Sequence, residues 1–436
     1  MKPINVGLLG IGTVGSGTWE ILQRNASEIE RRAGRAIRIS RIADKDVGRA
    51  KKIAGAKAAI TRDAYQVVRA RDIDIVVELI GGTTVARDLV LEAIANGKQV
   101  VTANKALLAT HGNEIFAAAQ KTGVMVAFEA SVAGGVPIIK ALREGLAANR
   151  IEWIAGIING TSNFILSEMR DKGLPFAAVL KEAQRMGYAE ADPAFDVEGV
   201  DAAHKLTILS ALAFGVPMQF SRAYTEGISK LTREDIRYAE ELGYRIKLLG
   251  MTIRKNKGIE LRVHPTLVPA RRLIANVEGV MNAILVKGDA AGPTMYYGAG
   301  AGGMPTASAV VADLLDVTRL ITADPEQRVP HLAFQPDRLA KDPILPIGEV
   351  ETSCYLRMRV KDRPGVLADI TRILADSKIS IGAMVQKEPG EGESRVDIVM
   401  LTHLAIEKNV NAAMAKIEKL PTVVGKVTRI RLEELL

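Results

Sequence analysis

Cysteine is almost absent from the chain. Cys354 is alone among 436 residues, so no intrachain disulfide and no cysteine-built zinc site can form. Histidine is nearly as scarce: five are scattered, with no pair at close helical spacing. Aromatic residues make up 4%, which leaves little to stack on nucleic-acid bases. No apolar run approaches the roughly 20 residues of a membrane span. A strong excess of one charge is lacking too, since 58 basic residues against 50 acidic ones leave a dispersed +8. The densest basic group, Arg31, Arg32, Arg35, Arg38 and Arg41, has the spacing of a solvated helix end and strand face. These absences exclude a membrane protein and point to anionic small molecules, not nucleic acid, as partners. Met1-Lys2-Pro3 runs straight into Ile4 to Leu9 without the longer apolar stretch of a secretory signal. The expected setting is cytoplasmic.

What is present is the material of several cores. The chain is 48% hydrophobic and 25% charged, and at roughly 150 residues per domain it suggests about three domains. Over residues 1 to about 130, short apolar runs (Ile4 to Leu9, Ile37 to Ile42, Ile73 to Val77, Val100-Val101) alternate with amphipathic stretches, Thr18 to Arg32 and Arg87 to Asn96. Strand–helix–strand alternation predicts a parallel, doubly wound sheet of the α/β class. From about 131 to 300, helical stretches (Asn163 to Asp171, Phe176 to Met186, Asp201 to Phe214) precede strand-like runs near Leu248 to Ile253 and Leu261 to Val268. That is the texture of an α+β domain. Gly298 to Gly303 then opens an apolar helix, Ala307 to Leu320, and a second glycine loop of this kind suggests a return to the first domain at about 300–322. Residues 323–350 are proline-rich and suit an extended linker. A compact unit occupies about 351–436.

Gly10-Ile11-Gly12-Thr13-Val14-Gly15 lies between the first strand and the first helix. In that position Gly10 allows the tight turn, Gly12 admits a pyrophosphate to the backbone, and Gly15 lets helix and strand pack closely. The helix start, with Thr13 and Val14, offers N–H donors to the phosphates. The spacing predicts a Rossmann-type dinucleotide site. At the end of the second strand, Asp44 suits a ribose 2′-hydroxyl and hence NAD, whereas Lys45 and Arg49 suit the 2′-phosphate of NADP. Both remain open.

Lys105 follows Thr102-Ala103-Asn104 at the carboxyl end of the fourth predicted strand, where such sheets place their ligands. A cation at a helix start opposes the helix dipole, so its presence there suggests use. The segment Ala183 to Lys205 holds five carboxylates between one helix end and the next helix. Asp201 and Lys205 are four apart and share a helix face. An exposed i,i+4 ion pair is the plainer reading, weakened because Leu206, Ile208 and Leu209 carry this helix into a core.

This segment resembles the signature of homoserine dehydrogenases, A-x3-G-[YF]-[AT]-E, then D-P-x2-D, then G-x-D-x3-K. Ala183, Gly187, Tyr188, Ala189, Glu190, Asp192, Pro193, Asp196, Gly199, Asp201 and Lys205 fill every position. With the glycine turn and Ala103-Asn104-Lys105, the resemblance covers residues 1 to about 320. It implies NADP- or NAD-linked interconversion of L-aspartate 4-semialdehyde and L-homoserine, on the route to threonine, methionine and isoleucine. By the match, Lys205 is the proton donor, with Lys105 the other candidate. Glu190 and Asp201 would hold the substrate's amino group and nascent hydroxyl. Asp196 would orient Lys205 or the substrate, and Gly187 would lie in the substrate-binding turn. Gly303 would touch the nicotinamide end of the cofactor. The resemblance further implies a structural sodium ion between the Glu129 side chain and backbone oxygens of Val132, Gly134 and Val136, and a homo-oligomer, dimer or tetramer. Without the resemblance, Glu129 to Val136 reads as a strand-to-helix turn.

Tyr355 to Ile370 reads as an alternating strand, an Asp-x-Pro-Gly turn and an amphipathic helix. It resembles the ACT domain, a ferredoxin-like βαββαβ module that binds amino acids. A dimerisation unit without ligand is the alternative. The resemblance implies feedback control, with threonine the first candidate, its carboxylate meeting backbone amides around Asp362 to Val366. A non-catalytic sensor of cofactor and amino acid is a competing function, as is a dehydrogenase for another amino-acid-derived aldehyde. A sensor, however, has no need of a proton donor.

Overall fold

The first strand, β1 (Ile4–Leu9), is almost wholly apolar, as a strand covered by helices on both faces must be. The computed structural model, which describes residues 2–388 and 394–435, places it inside a sheet with β2 (Ile37–Ala43), β3 (Ala59–Thr61), β4 (Ile75–Glu78), β5 (Gln99–Thr102) and β6 (Val126–Ala127). The strands are parallel and ordered β3-β2-β1-β4-β5-β6, so the order reverses between β1 and β4. Helices α1 (Thr13–Arg24), α2 (Ala26–Ala33), α3 (Val47–Ala54), α4 (Ala64–Val68), α5 (Val85–Ala95) and α6 (Lys105–Thr122) connect them. The sheet is doubly wound. The stretch read as one helix from Thr18 to Arg32 is two helices broken at Asn25, whose φ of −105° and ψ of 21° leave the helical region.

Next come α7 (Ile138–Lys140), β7 (Ile151–Ile157), α8 (Gly160–Lys172), α9 (Phe176–Arg185), α10 (Ala194–Val197), α11 (Val200–Phe214), β8 (Tyr224–Thr225) and α12 (Arg233–Glu241). Strands β9 (Tyr244–Lys255), β10 (Gly258–Pro269), β11 (Met281–Gly288) and β12 (Gly292–Ala299) follow. Helix α13 (Gly303–Leu320) then returns to the first sheet, where Val310 and Leu314 share a core with Val6, Leu8, Ile39 and Ile42. On the opposite face the core continues into the second part of the chain, with Leu107 and Leu108 of α6 and Leu206 and Leu209 of α11 in one cluster. That shared core fixes α6 against α11.

The last part runs β13 (Glu351–Lys361), α14 (Val366–Asp376), β14 (Ile381–Gln386), β15 (Arg395–Thr402), the short β16 (Ala405–Ile406), α15 (Glu407–Ile417) and β17 (Val423–Leu432). Its main strand order, β17-β13-β15-β14, is that of a ferredoxin-like sheet. This sheet does not stand apart. Thr266 and Leu267 of β10 pair in parallel with Arg431 and Leu432 of β17, joining it to β12-β11-β7-β9-β10 in one sheet of eleven strands. The proline-rich segment between α13 and β13 lies against the body. Arg328 donates to the carbonyls of Gly123 and Ala323 at 2.8 and 2.7 Å. Ile259 donates to Pro343 O at 2.9 Å, and Leu345 to Ile259 O at 2.8 Å.

Candidate active site

The glycines between β1 and α1 each meet a different constraint. Gly10 has φ of +93°, and a Cβ there would sit 2.8 Å from Leu79 O. A Cβ on Gly15 would sit 2.2 Å from Gly10 O, whereas one on Gly12 would meet nothing within 4 Å. Gly12 is thus the open face of the turn, and Gly10 and Gly15 are its folded faces. Helix α1 has no side-chain cap, so the first amides, at Thr13 and Val14, are left for a phosphate. Gly303, at the start of α13, packs against the same point: its Cβ would lie 3.1 Å from Thr13 Cγ2 and 3.2 Å from Thr13 O. Helix α13 has no side-chain cap either. Two uncapped helix starts therefore meet.

Asp44, at the end of β2, turns its carboxylate back onto the turn. It accepts from Ile11 N at 2.6 Å, from Asp46 N at 2.8 Å, and from the Arg49 guanidinium at 3.2 Å. Burial opposes its charge, but the two amides and Arg49 outweigh that and lower its pKa.

A hydrogen-bonded chain sets α6 beside this edge. Glu78, buried at the end of β4, accepts from Thr102 Oγ1 at 2.7 Å, and that oxygen accepts from Asn104 N at 3.0 Å. Asn104 caps α6 through Leu107 N at 3.0 Å and donates to Gly82 O at 2.7 Å. Lys105 is the first residue of α6. Asp201 stands in the first turn of α11, where the helix dipole favours its charge.

The two helix starts meet on Asp201. Its Oδ2 accepts from Lys205 Nζ at 2.6 Å, and its Oδ1 lies 3.4 Å from Lys105 Nζ. Lys205 Nζ also donates to Ile158 O at 2.8 Å. An ammonium has three donors, so one remains. Asn159 Nδ2 bridges Asp196 Oδ1 at 2.8 Å and Asp201 Oδ2 at 3.0 Å. Burial raises the Asp201 pKa, but the ammoniums of Lys205 and Lys105 and the Asn159 amide win, and it falls to about 2. Asp196 moves the other way, raised by burial and by the facing Asp201. The Lys205 side chain is 10% exposed and that of Lys105 37%. One ammonium is enclosed and the other looks out.

Asn159 and the Ile158 carbonyl were missed by reading the sequence. The available signal was Asn159-Gly160-Thr161-Ser162 before an apolar helix, a capping pattern. Asn159 Oδ1 does accept from Ser162 N at 2.8 Å. His204 was missed as well. Its ring lies 4.2 Å from that of Phe220, and burial lowers its pKa.

Other residues stand apart from this cluster. Glu190 is exposed on the turn after α9, and its carboxylate has no hydrogen-bond partner among the described residues. Gly187, at φ +75°, ends α9 with open space where a Cβ would go. The turn after β6 forms its own knot. Glu129 accepts from Ile139 N at 2.9 Å and Lys140 N at 2.8 Å, and its own amide donates to Asp313 Oδ2 at 2.9 Å. Burial pushes the Glu129 pKa up to about 7, against the two amides. A Cβ on Gly134 would meet Gly300 O at 2.7 Å, and Val136 O already accepts from Ile138 N at 2.8 Å. Val132 is buried beside it. No group of three His, Cys, Asp or Glu side chains placed to hold a metal occurs among the described residues. In the last domain, the amides of Asp362 and Val366 already donate to Ser394 O and Arg363 O.

Comparison with known proteins covers all three parts of the chain. A model described as homoserine dehydrogenase matches residues 137–315, the homoserine dehydrogenase NAD-binding domain matches 10–129, and the ACT domain matches 355–422. The homoserine dehydrogenases of Pseudomonas aeruginosa and Neisseria gonorrhoeae are 61% and 60% identical over 435 residues, covering 100% of both chains in each case. The crystal structure of a homoserine dehydrogenase from Thiobacillus denitrificans is 72% identical and superposes with a TM-score of 0.96, covering 100% of this chain and 99% of that one. A hyperthermophilic archaeal homoserine dehydrogenase in complex with NADPH is 25% identical, with a TM-score of 0.63 over 73% of this chain and 98% of that one. No helix among the described residues is long and apolar enough to cross a membrane. Relatives matched from end to end, over a dinucleotide turn and a carboxylate clasped by two lysines, leave one assignment: the chain belongs to the homoserine dehydrogenase family of nicotinamide-dependent oxidoreductases.

Proposed function

We propose that this chain interconverts L-aspartate 4-semialdehyde and L-homoserine, and that Lys205 is the group that moves the proton. The observation that carries this reading is Asp201 held between Lys205 and Lys105. The nicotinamide cofactor, when bound, supplies or accepts the hydride. In reduction, the free N–H of Lys205 faces the oxygen on which charge develops and gives it a proton. Asp201, with its pKa near 2, stays ionised and holds the ammonium in place without taking the proton itself. Lys105, the more exposed amine, steadies the same charge and links the pair to solvent. Asp196, through Asn159, positions Asp201. Glu190 and Gly187 lie on the exposed turn between α9 and α10, and we place them at the substrate's amino end, reached when substrate binds.

Cofactor preference follows from Asp44. Its oxygens already serve Ile11, Asp46 and Arg49, so we assign it to holding the turn, and assign Arg49 with the exposed Lys45 to a 2′-phosphate. That favours NADP over NAD. The Glu129 turn offers the hard oxygen donors a sodium ion takes, and each carboxylate oxygen keeps a lone pair beyond its amide bond. The residues fit, and we propose that Glu129 with the carbonyls of Val132, Gly134 and Val136 holds such an ion as a tie between domains. We further propose an amino-acid effector, threonine first, acting through the ACT unit, a cytoplasmic setting, and a homo-oligomer, dimer or tetramer.

The test is the loss of nicotinamide absorbance on adding aspartate semialdehyde, with NADPH and NADH and with threonine present or absent. Lys205→Ala should abolish turnover and leave cofactor binding intact. Turnover at the normal rate in that variant rejects the assignment.

A further inference from the structure

Glycine in the interior of a strand gives up packing and weakens the strand, so two of them face to face need a reason. Gly156 of β7 and Gly250 of β9 are such a pair, directly opposite in the antiparallel register. Neither has a positive φ, so the backbone does not demand glycine at either place. What excludes a side chain is Ile158, buried at the junction of β7 and α8. A Cβ on Gly156 would lie 3.0 Å from Ile158 Cγ2, and one on Gly250 would lie 3.0 Å from Ile158 Cδ1. The isoleucine lies across the bare stretch of sheet, with one branch of its side chain over each glycine.

The same residue carries the carbonyl that accepts from Lys205 Nζ at 2.8 Å. An ammonium has three donors in a tetrahedral arrangement, and Asp201 Oδ2 takes a second at 2.6 Å. With two directions fixed, the third is fixed as well. The Asp201 contact alone would leave a long side chain free to swing about it, and the Ile158 carbonyl removes that freedom. Asn159, the next residue, caps α8 and holds Asp201 Oδ2 at 3.0 Å. Residues 158 and 159 thus grip both members of the ion pair.

We infer that Gly156 and Gly250 are positioning residues for the proton transfer: they seat Ile158 so that its carbonyl aims the remaining N–H of Lys205 at the substrate oxygen. The inference rests on the Lys205 reading above and deepens it. A methyl at either glycine would force Ile158 to give way by a few tenths of an ångström. That is small for the fold but large for a hydrogen bond that sets a direction. Leu206, the neighbour of Lys205 on α11, would lie 3.4 Å from a Cβ on Gly250, so the methyl there also presses on the helix that carries the lysine.

The test is steady-state reduction of aspartate semialdehyde by full-length Gly250→Ala and Gly156→Ala, each checked for a wild-type circular dichroism spectrum. Each should lose roughly tenfold in kcat, with KM for aldehyde and for cofactor within about twofold of wild type. The alkaline limb of the kcat profile should move to lower pH, because a carbonyl acceptor favours an ammonium and its withdrawal favours the free amine. Rescue separates seating from general damage. Ile158→Val deletes Cδ1 and keeps Cγ2, so adding it should restore most of the kcat of Gly250→Ala and none of that of Gly156→Ala. Rescue of both or of neither overturns the inference, as does a wild-type kcat in Gly250→Ala. Should Gly250→Ala fail to fold, Ile158→Ala withdraws the same side chain instead of crowding it. It should show the same loss of kcat and the same shift of the limb, and wild-type values there also overturn the inference. Lys205→Ala keeps the two readings apart. Normal turnover in it removes the proton donor itself, whereas an inactive Lys205→Ala beside a fully active Gly250→Ala removes only the part given to the glycine pair.

Discussion

At the residue scale, the proposed chemistry turns on how one carboxylate is kept charged in a buried place. Asp201 has a folded pKa near 2 against an ordinary value of 3.8. A depressed acid contributes stability that is present above the unfolded value and lost as pH falls through the folded one. Its contribution should therefore be complete above about pH 4 and fade toward about pH 2, and acid unfolding followed by circular dichroism should lose that step in Asp201→Asn. The same pair predicts that Asp201 does not set the acid limb of the rate profile near neutrality. Asn159 is the more revealing target. Asn159→Ser keeps an oxygen able to cap α8 but removes the amide between Asp196 and Asp201. The expected outcome is a folded enzyme with a lower kcat, little change in KM, and an Asp196 pKa raised further by the unscreened neighbour. A variant with wild-type kcat and pH profile would show that the bridge has no part in positioning.

At the element scale, the glycine turn and the Glu129 turn behave differently. Gly15→Ala would place a methyl 2.2 Å from Gly10 O, and Gly17→Ala one 2.9 Å from Gly303 O. The first should abolish cofactor binding by fluorescence titration. The second, where α1 meets α13, should weaken it by opening the junction of two helix starts. The positive φ of Gly10 and the close packing of Gly15 on Gly10 O were legible in the sequence because both lie within the turn itself. The Gly17 contact was not, because its partner lies nearly three hundred residues away. Helix starts were read late for a related reason. Glycine and proline read as turn residues, so α13 was expected from Ala307, whereas it begins at Gly303 with Pro305 in its first turn. The turn after β6 yields a metal test. Sodium at ten times its Kd would add about 1.4 kcal/mol of stability. Because Glu129 has a pKa near 7 without the ion, binding releases a proton and tightens as pH rises through neutrality. Thermal melts in sodium chloride should therefore exceed those in choline chloride more at about pH 8 than at about pH 6. In Glu129→Gln the difference should vanish; its persistence there would place the ion elsewhere.

At the scale of the whole molecule, what escaped the sequence is how the ACT unit is attached. Its strands and helices were legible from alternation and the Pro-Gly turn, but the pairing of β17 with β10 spans two residues in register and has no local signature. Strand β10 shows why. Its Ile259, Leu261, Val263 and Leu267 join the main core, whereas Glu260, Arg262, His264 and Thr266 on the other face are also buried. Such a strand reads as half-exposed until its partners are known, and these are charged: Arg262 pairs with Glu433 at 2.8 Å, and Arg431 with Glu226 at 2.7 Å. Arg357 of β13 reaches Asp235 of α12 at 2.7 Å, the side chains being 14% and 0% exposed. Breaking a buried pair from one side costs about 3–5 kcal/mol, so Arg357→Ala should detach the ACT unit energetically before the rest unfolds. The chain carries its own probes for this. Cys354, buried in β13 with its thiol pKa raised by burial, stays unreactive while that strand is intact. Trp153 on β7 reports the catalytic sheet once Trp19 is replaced by phenylalanine. In that Trp19→Phe background, Cys354 labelling and Trp153 fluorescence should share one urea midpoint. Adding Arg357→Ala should bring labelling forward to lower urea while the fluorescence midpoint moves less. Labelling that already precedes the fluorescence change without that second substitution would mean that the joined sheet carries no cooperativity between its halves.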